Sequence, residues 1–411
     1  MTAVRPVRGT HDVFGETALR HRRVIETGRA AAERYGYGEI ATPIFEFTEV
    51  FARTLGDTSD VVTKEMYTFA DRGGEQLTLR PEATAGICRA VISNGLLQSL
   101  PLRFFCTGPM FRYERPQKGR MRQFTQIGIE LIGAPEPLAD VEVIACGARA
   151  LAELGLGDVV TLELNTLGDP ASRRAYRELL VAYLERFRSE LSEDSRARLE
   201  RNPLRILDSK DAGDRQILEG APDLETSLNA ESRAFFETVL AGLDSIGVAW
   251  THNRRLVRGL DYYTHTAFEF TTTALGAQGT VMAGGRYDGL IEAMGGPPVP
   301  GVGWAAGVER LAMLIEAPAE ARPIAVVPVD ETSVAPALQL AEELRAARLV
   351  AEFGFKGRVG QRLKQAARQN ARWAVLLGPD EIAAGRVQLK DLDSGEQADV
   401  GRSDLVSRLR S

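Results

Sequence analysis

The chain has 411 residues, 44% of them hydrophobic and 26% charged. That composition excludes a largely disordered, collagenous or disulfide-scaffold protein, and at roughly 150 residues per domain the length predicts two or three domains. With 50 Lys and Arg against 56 Asp and Glu, net charge −6, a nucleic-acid partner would be held by local basic patches and not by a global field.

Residues 16–36 read as an amphipathic helix ending at Gly36, and 40–50, interrupted by Pro43, as an extended segment with a turn. Leu77–Arg80 is a predicted strand. Pro81 stands where a helix would begin, with Ile87, Cys88, Val91 and Ile92 at helical spacing behind it. Leu102–Glu114 and Gln123–Ile132 are β-rich runs joined by 115–122. In the second, Ile127, Ile129 and Leu131 point to one face and Gln126, Gly128 and Glu130 to the other. Such alternation fits a strand with one wet face. With Arg112 at the end of the first run, it also fits a hairpin forming the floor for a polar ligand.

Residues 138–155 look helical. From 168 to about 245 the chain is helix-rich and charged, and it separates two β-rich, Gly-rich blocks, so it reads as an inserted helical subdomain. β-character resumes at Val257–Thr273. Gly303–Ile315 reads as a helix with Val308, Leu311, Ala312 and Ile315 as its apolar stripe and Arg310 off it. After a linker at 317–323, strands at 324–329, 350–355, 373–377 and 387–391 alternate with helices at 335–348 and 359–371. That pattern is a small α/β domain. The expected boundaries are 1–321 and 322–411.

Cys88, Cys106 and Cys146 form no CxxC pair, which suits buried thiols in a reducing compartment. His11, His21, His252 and His265 are too scattered for a zinc site. The N-terminal stretch has no apolar core of a signal peptide, and no apolar run approaches ~18 residues, so a cytoplasmic chain without a membrane span is expected.

Two basic concentrations stand out. Arg112, Arg115, Lys118, Arg120 and Arg122 face only Glu114 between 112 and 122, and no acid lies between Lys356 and Arg372. Charge runs are usually solvated faces. Two such patches on an acidic chain also suit one polyanion touching two domains.

The segment FRYERPQKGRMRQFTQIGIE (111–130) resembles the second signature motif of class II aminoacyl-tRNA synthetases in its histidyl form. TLRPEATAG (78–86), LVRGLDYYT (256–264), AGGRYDGL (283–290) and GVGWAAGVERLAML (301–314) resemble further blocks of that family, in its order. The region around Pro43 resembles the first motif, and 358–381 with 387–397 resembles the anticodon-binding domain. Ala83 stands where many relatives have Gly.

The resemblance implies an α+β catalytic domain, an antiparallel β-sheet flanked by helices with a helical insertion, followed by the α/β domain. It also implies a histidine–tRNA ligase reaction, with L-histidine, ATP carrying Mg²⁺ and histidine tRNA as partners, in a homodimer whose protein residues hold no metal of their own. By the same resemblance Arg112 and Arg258 contact the α-phosphate, Arg112, Arg120 and Arg310 hold ATP, and Glu82, Thr84 and Gln126 surround the α-amino group. Glu130 and Tyr263 meet the imidazole, with Tyr262 and Tyr287 lining the pocket. Gln117 and Arg122 would meet the acceptor end of the tRNA, and Arg362, Lys364 and Arg368 the anticodon stem. Trp373 is either a stacking platform or core. A regulatory paralogue, a synthetase for another amino acid and a plain nucleic-acid binding module are the alternatives. Glu82, Arg112, Glu130, Arg258, Tyr263 and Arg310 with the C-terminal domain argue against the first, the paired RGLDYY and GGRYDGL blocks against the second, and the polar floor against the third.

Overall fold

The computed structural model describes residues 4–55, 61–257, 262–276 and 279–410. The chain divides into two compact units, Met1–Pro318 and Ala319–Ser411.

In chain order the first unit carries helix α1 (Gly15–Arg34), strands β1 (Gly38–Glu39) and β2 (Phe45–Phe47), α2 (Thr48–Leu55), β3 (Tyr67–Ala70), β4 (Gln76–Leu79) and α3 (Thr84–Ser93). Strands β5 (Leu102–Phe111) and β6 (Gln123–Ile132), α4 (Pro137–Glu153) and β7 (Thr161–Thr166) follow. Then come α5 (Pro170–Glu185), α6 (Glu193–Arg201), α7 (Ala212–Leu218), α8 (Ala230–Ser245), β8 (Thr251–His252) and β9 (Thr264–Thr271). The unit ends with β10 (Thr280–Arg286), α9 (Leu290–Ala293), β11 (Gly301–Gly307) and α10 (Val308–Ala312).

Its main sheet has the order β1-β5-β6-β11-β10-β9-β7-β8. The six inner strands pair antiparallel, while the two-residue edges β1 and β8 pair parallel, so the sheet is mixed and not wholly antiparallel. One face is dry: Ile127, Ile129 and Leu131 pack with Val24 of α1, Ile144 of α4, Val239 and Leu243 of α8 and Leu311 of α10. The apolar stripe Val308, Leu311, Ala312 and Ile315 is buried as the spacing predicted. However, the predicted helix from Gly303 is wrong at its start. Residues 301–307 are a strand between β6 and β10, in which a Cβ at Gly301 or at Gly303 would clash with the side chain beside it.

The helix-rich stretch divides by packing. Helix α8 belongs to the main core, whereas α5, α6 and α7 close a core of their own around Tyr176, Leu180, Leu184, Leu199 and Leu218. Asp169, with Pro170 at the first helical position, caps α5 by accepting from Ser172 N at 2.8 Å. Asp214 accepts from the hydroxyls of Ser192, Ser195 and Ser209 at 2.6–2.7 Å and ties the small subdomain together.

A second sheet, β2-β4-β3, stands apart. It exposes nearly half of each of Phe45, Phe47 and Phe69.

The C-terminal unit holds β12 (Ile324–Pro328), α11 (Val334–Ala346), β13 (Ala351–Phe353), α12 (Val359–Arg368) and β14 (Trp373–Leu377). It continues with α13 (Pro379–Ala384), β15 (Arg386–Asp391), β16 (Gln397–Gly401) and α14 (Leu405–Arg410). Its sheet runs β13-β12-β14-β15-β16, parallel across the first three strands and antiparallel after them. Trp373 packs against the core of this unit.

Candidate functional site

The wet face of β6 floors a cavity of about 260 Å³, lined also by α3, the 112–121 segment, β10, β11 and the start of α10. Gln126, Gly128 and Glu130 all face it, as the alternation predicted.

Glu130 is 3% exposed. Thr84 donates its hydroxyl to Glu130 Oε1 at 2.6 Å, and Tyr287 donates its phenol to Oε2. Burial pushes the Glu130 carboxyl up to about 8, against the pull of those two donors. Glu82, 5% exposed, accepts from the backbone N–H of Thr84 at 2.6 Å and of Ala85 at 2.9 Å. It thereby satisfies the first turn of α3, a helix that begins at Thr84 and not at Pro81 as the proline suggested. The Pro81 carbonyl has another use: it accepts from Arg112 Nε at 2.9 Å. Burial raises the Glu82 carboxyl as well, partly offset by those N–H groups and Arg112.

Gln126 Oε1 is buried with no donor among the described residues. Beside it the rings of Tyr262 and Tyr263 lie 4.6 Å apart, and Tyr262 meets Tyr287 edge-on at 5.9 Å. Burial holds the Tyr262 and Tyr287 phenols well above their usual range, so both stay donors. This end of the cavity can accept an ammonium and a ring N–H, and it can also donate.

Cations gather at the other end. The Arg112 guanidinium sits 5.4 Å from the Phe124 ring centroid. Arg120 pairs with Glu114. Arg310 donates to Gly119 O at 3.0 Å and Thr280 O at 2.7 Å. Burial, then the nearby Arg120 and Arg112 charges, push the Arg310 guanidinium below its ordinary value. Crowded guanidiniums are what a bound polyphosphate would relieve.

Arg258, the remaining predicted catalytic residue, lies outside the described residues. Gln117 is exposed and closes a one-residue bridge with Arg120. Arg122 lies away from the cavity wall: its guanidinium covers the Tyr113 ring at 3.9 Å and donates to Glu114 O at 3.2 Å. In the C-terminal unit Lys364 and Arg368 are exposed on α12, but Arg362 donates to Pro328 O at 2.6 Å and does not share their face. No group of three metal-ligating side chains occurs among the described residues.

Several residues of this site escaped the sequence reading. Gly303 lies opposite Glu130 in the β6–β11 register, and a Cβ there would strike Glu130 Oε2. A Cβ on Gly301 would strike the Tyr287 ring. Arg286 is fully buried, paired with Asp140 and bonded to the carbonyls of Ala134 and Glu136, and it holds the strand end from which Tyr287 projects. The run of glycines was the available signal, but its partner strand was not visible in sequence.

Comparison with known proteins gives a consistent picture. A family model described as histidyl-tRNA synthetase matches residues 9–311, and one described as anticodon binding domain matches 323–411. The histidine–tRNA ligase of Rhodospirillum rubrum is 61% identical over 98% of this chain and 97% of that protein. That of Gluconobacter oxydans is 57% identical over 99% and 98%. The crystal structure of apo histidyl-tRNA synthetase from S. aureus superposes with a TM-score of 0.82 at 34% identity over all of both chains.

Proposed function

The chain belongs to the histidyl-tRNA synthetase family, and from that premise we propose that the two ends of the cavity read the two small substrates of a histidine–tRNA ligase. The enzyme joins histidine to ATP and then to histidine tRNA. A histidine carboxylate oxygen attacks the α-phosphorus, pyrophosphate leaves, and a terminal ribose hydroxyl of the tRNA then attacks the acyl carbon and releases AMP.

The observation that carries the assignment of the ends is the buried, doubly bracketed Glu130 beside the unpartnered Gln126 Oε1. Gln126, Glu82 and Thr84 take the α-ammonium. Glu130 and Tyr263 take the imidazole, with Tyr262 and Tyr287 as walls. A substrate without ring nitrogens would leave these buried groups unpaired, which gives strong discrimination without editing. Arg112 and Arg258 flank the α-phosphate, where charge develops as the P–O bond forms, and Arg310 and Arg120 hold the outer phosphates. Mg²⁺ enters with ATP, carried by phosphate oxygens and water.

Arg122 with Gln117 meets the acceptor end, and Lys364 and Arg368 the anticodon stem. The exposed Phe45, Phe47 and Phe69 suit a face covered by a second copy of the chain, a homodimer. No helix among the described residues is long and apolar enough to cross a membrane. The place of work is the cytoplasm, where tRNA is charged and Cys88, Cys106 and Cys146 stay free thiols.

Equilibrium binding separates the ends. Glu130→Gln is expected to lose histidine binding and keep ATP binding, and Arg310→Ala the reverse. Equal loss of both ligands in either variant would contradict the assignment.

A further inference from the structure

The residues ahead of α1 form a strap against the segment that carries the cavity's arginines. Val4 is fully exposed and Val7 largely so, which means that burial does not hold the strap in place. Backbone bonds do. Thr10 donates its N–H and its hydroxyl to Val7 O at 3.0 and 2.8 Å and closes a turn, and the N–H of Arg122 donates to Gly9 O at 2.8 Å. Gly9 has φ +88°, and a Cβ on it would lie 2.7–2.8 Å from the stem carbons of Arg122 and 3.0 Å from the Pro116 ring. That stem has little freedom to give way, since its guanidinium lies over the Tyr113 ring and donates to Glu114 O. Backbone angle and space both ask for glycine here. Arg122 in turn fixes the arginines. Its carbonyl accepts from Arg112 N at 2.9 Å, which closes the base of the 112–122 loop. Glu114, bonded to Arg122 through its carbonyl, pairs with Arg120, and Gly119 O accepts from Arg310 at 3.0 Å.

We propose that Gly9 is a positioning residue for ATP: the strap, bonded through Gly9 O, holds the 112–122 loop at the setting in which Arg112, Arg120 and Arg310 converge on the phosphates. The inference rests on the ligase reading above for the ligand of those arginines. Gly9 itself touches no reacting atom. The loop meets the main sheet only at its base, where Arg112 follows β5 and Arg122 precedes β6, and the strap clamps that base from outside. A guanidinium fork that is slightly displaced loses its alignment with phosphate oxygens, so the clamp acts on nucleotide affinity. The histidine end does not lean on the strap: Thr84 and Glu130 bond each other across α3 and β6, and Glu82 bonds the first turn of α3.

The test compares Gly9→Ala with Gly247→Ala in the full-length protein. Gly247, just after α8, has φ +71° with nothing within 4 Å of an added Cβ, so it carries a similar backbone cost away from the strap. ATP and histidine affinities are read separately by equilibrium dialysis. Gly9→Ala should weaken ATP about tenfold, the size of one lost hydrogen bond, and leave histidine within about twofold. Gly247→Ala should move neither. Amide hydrogen exchange over 112–122 should quicken in Gly9→Ala alone. Thr10→Val, which removes one of the two donors to Val7 O, should shift ATP in the same direction by less, and it carries the test should Gly9→Ala not fold. ATP–pyrophosphate exchange by the wild-type protein with histidine tests the ligase reading on its own, so the two can fail separately. Unchanged ATP affinity in Gly9→Ala would overturn the inference. So would equal weakening of ATP and histidine, or an ATP loss of the same size in Gly247→Ala.

Discussion

At the proposed histidine end of the active-site cavity, Glu82 and Glu130 are almost fully buried and held by fixed donors on α3 and just after β10. At the proposed nucleotide end, Arg112, Arg120 and Arg310 are half-buried, tethered to backbone carbonyls or to Glu114. The first end selects by leaving buried polar groups unsatisfied unless the right substrate arrives. The second concentrates positive charge on a ligand that brings its own negative charge. A small change at the first should therefore cost recognition, and a charge deletion at the second should cost rate.

The largest expected effect is at the nucleotide end. Arg258→Ala or Arg112→Ala should lower exchange kcat by about 10²–10³, the range for removing one donor to a developing oxyanion, with tRNA binding kept. Near-normal exchange in Arg258→Ala would remove it from the chemistry. Next comes Gly303→Ala, whose methyl has no room beside Glu130. It should destabilise the fold by about 1–3 kcal/mol through overpacking and raise the KM for histidine while leaving the KM for ATP near wild type. An equal rise in both would blur the two ends into one.

Glu130 also gives a pH test. Its carboxyl titrates near 8 in the folded chain against 4.5 in the unfolded one. The stability this group contributes is therefore full below pH 4.5 and is lost as pH rises through about 8. Thermal midpoints of the ligand-free protein should fall across that window more steeply in wild type than in Glu130→Gln. Parallel curves would contradict a buried, proton-holding Glu130. The smallest effect is expected on the exposed helix: Lys364→Gln with Arg368→Gln should reduce the tRNA salt slope by about one to two and spare exchange. Arg362→Gln should act on the stability of the C-terminal unit, since its guanidinium bonds Pro328 O.

What was legible in the sequence follows from the range of the forces involved. The β6 face was readable because strand alternation is local, and the α10 stripe because helical spacing is local. The start of α3 was not: Pro81 looked like a helix start, yet its carbonyl belongs to Arg112, 31 residues on. Gly303–Gly307 was read as helix because the group its first glycine makes room for, Glu130, lies on a neighbouring strand. Helical spacing already sets Arg362 about 200° around α12 from Lys364, but it could not show the Pro328 carbonyl that takes up its guanidinium. The site residues themselves were found through motif resemblance, which carries long-range geometry that periodicity lacks.

ATP–pyrophosphate exchange without tRNA, with each amino acid offered in turn, tests the division of the cavity most directly. Histidine alone should drive exchange, and Glu130→Gln should abolish that preference together with most of the signal. Exchange driven equally by an amino acid lacking ring nitrogens, or none at all from folded protein, would contradict it.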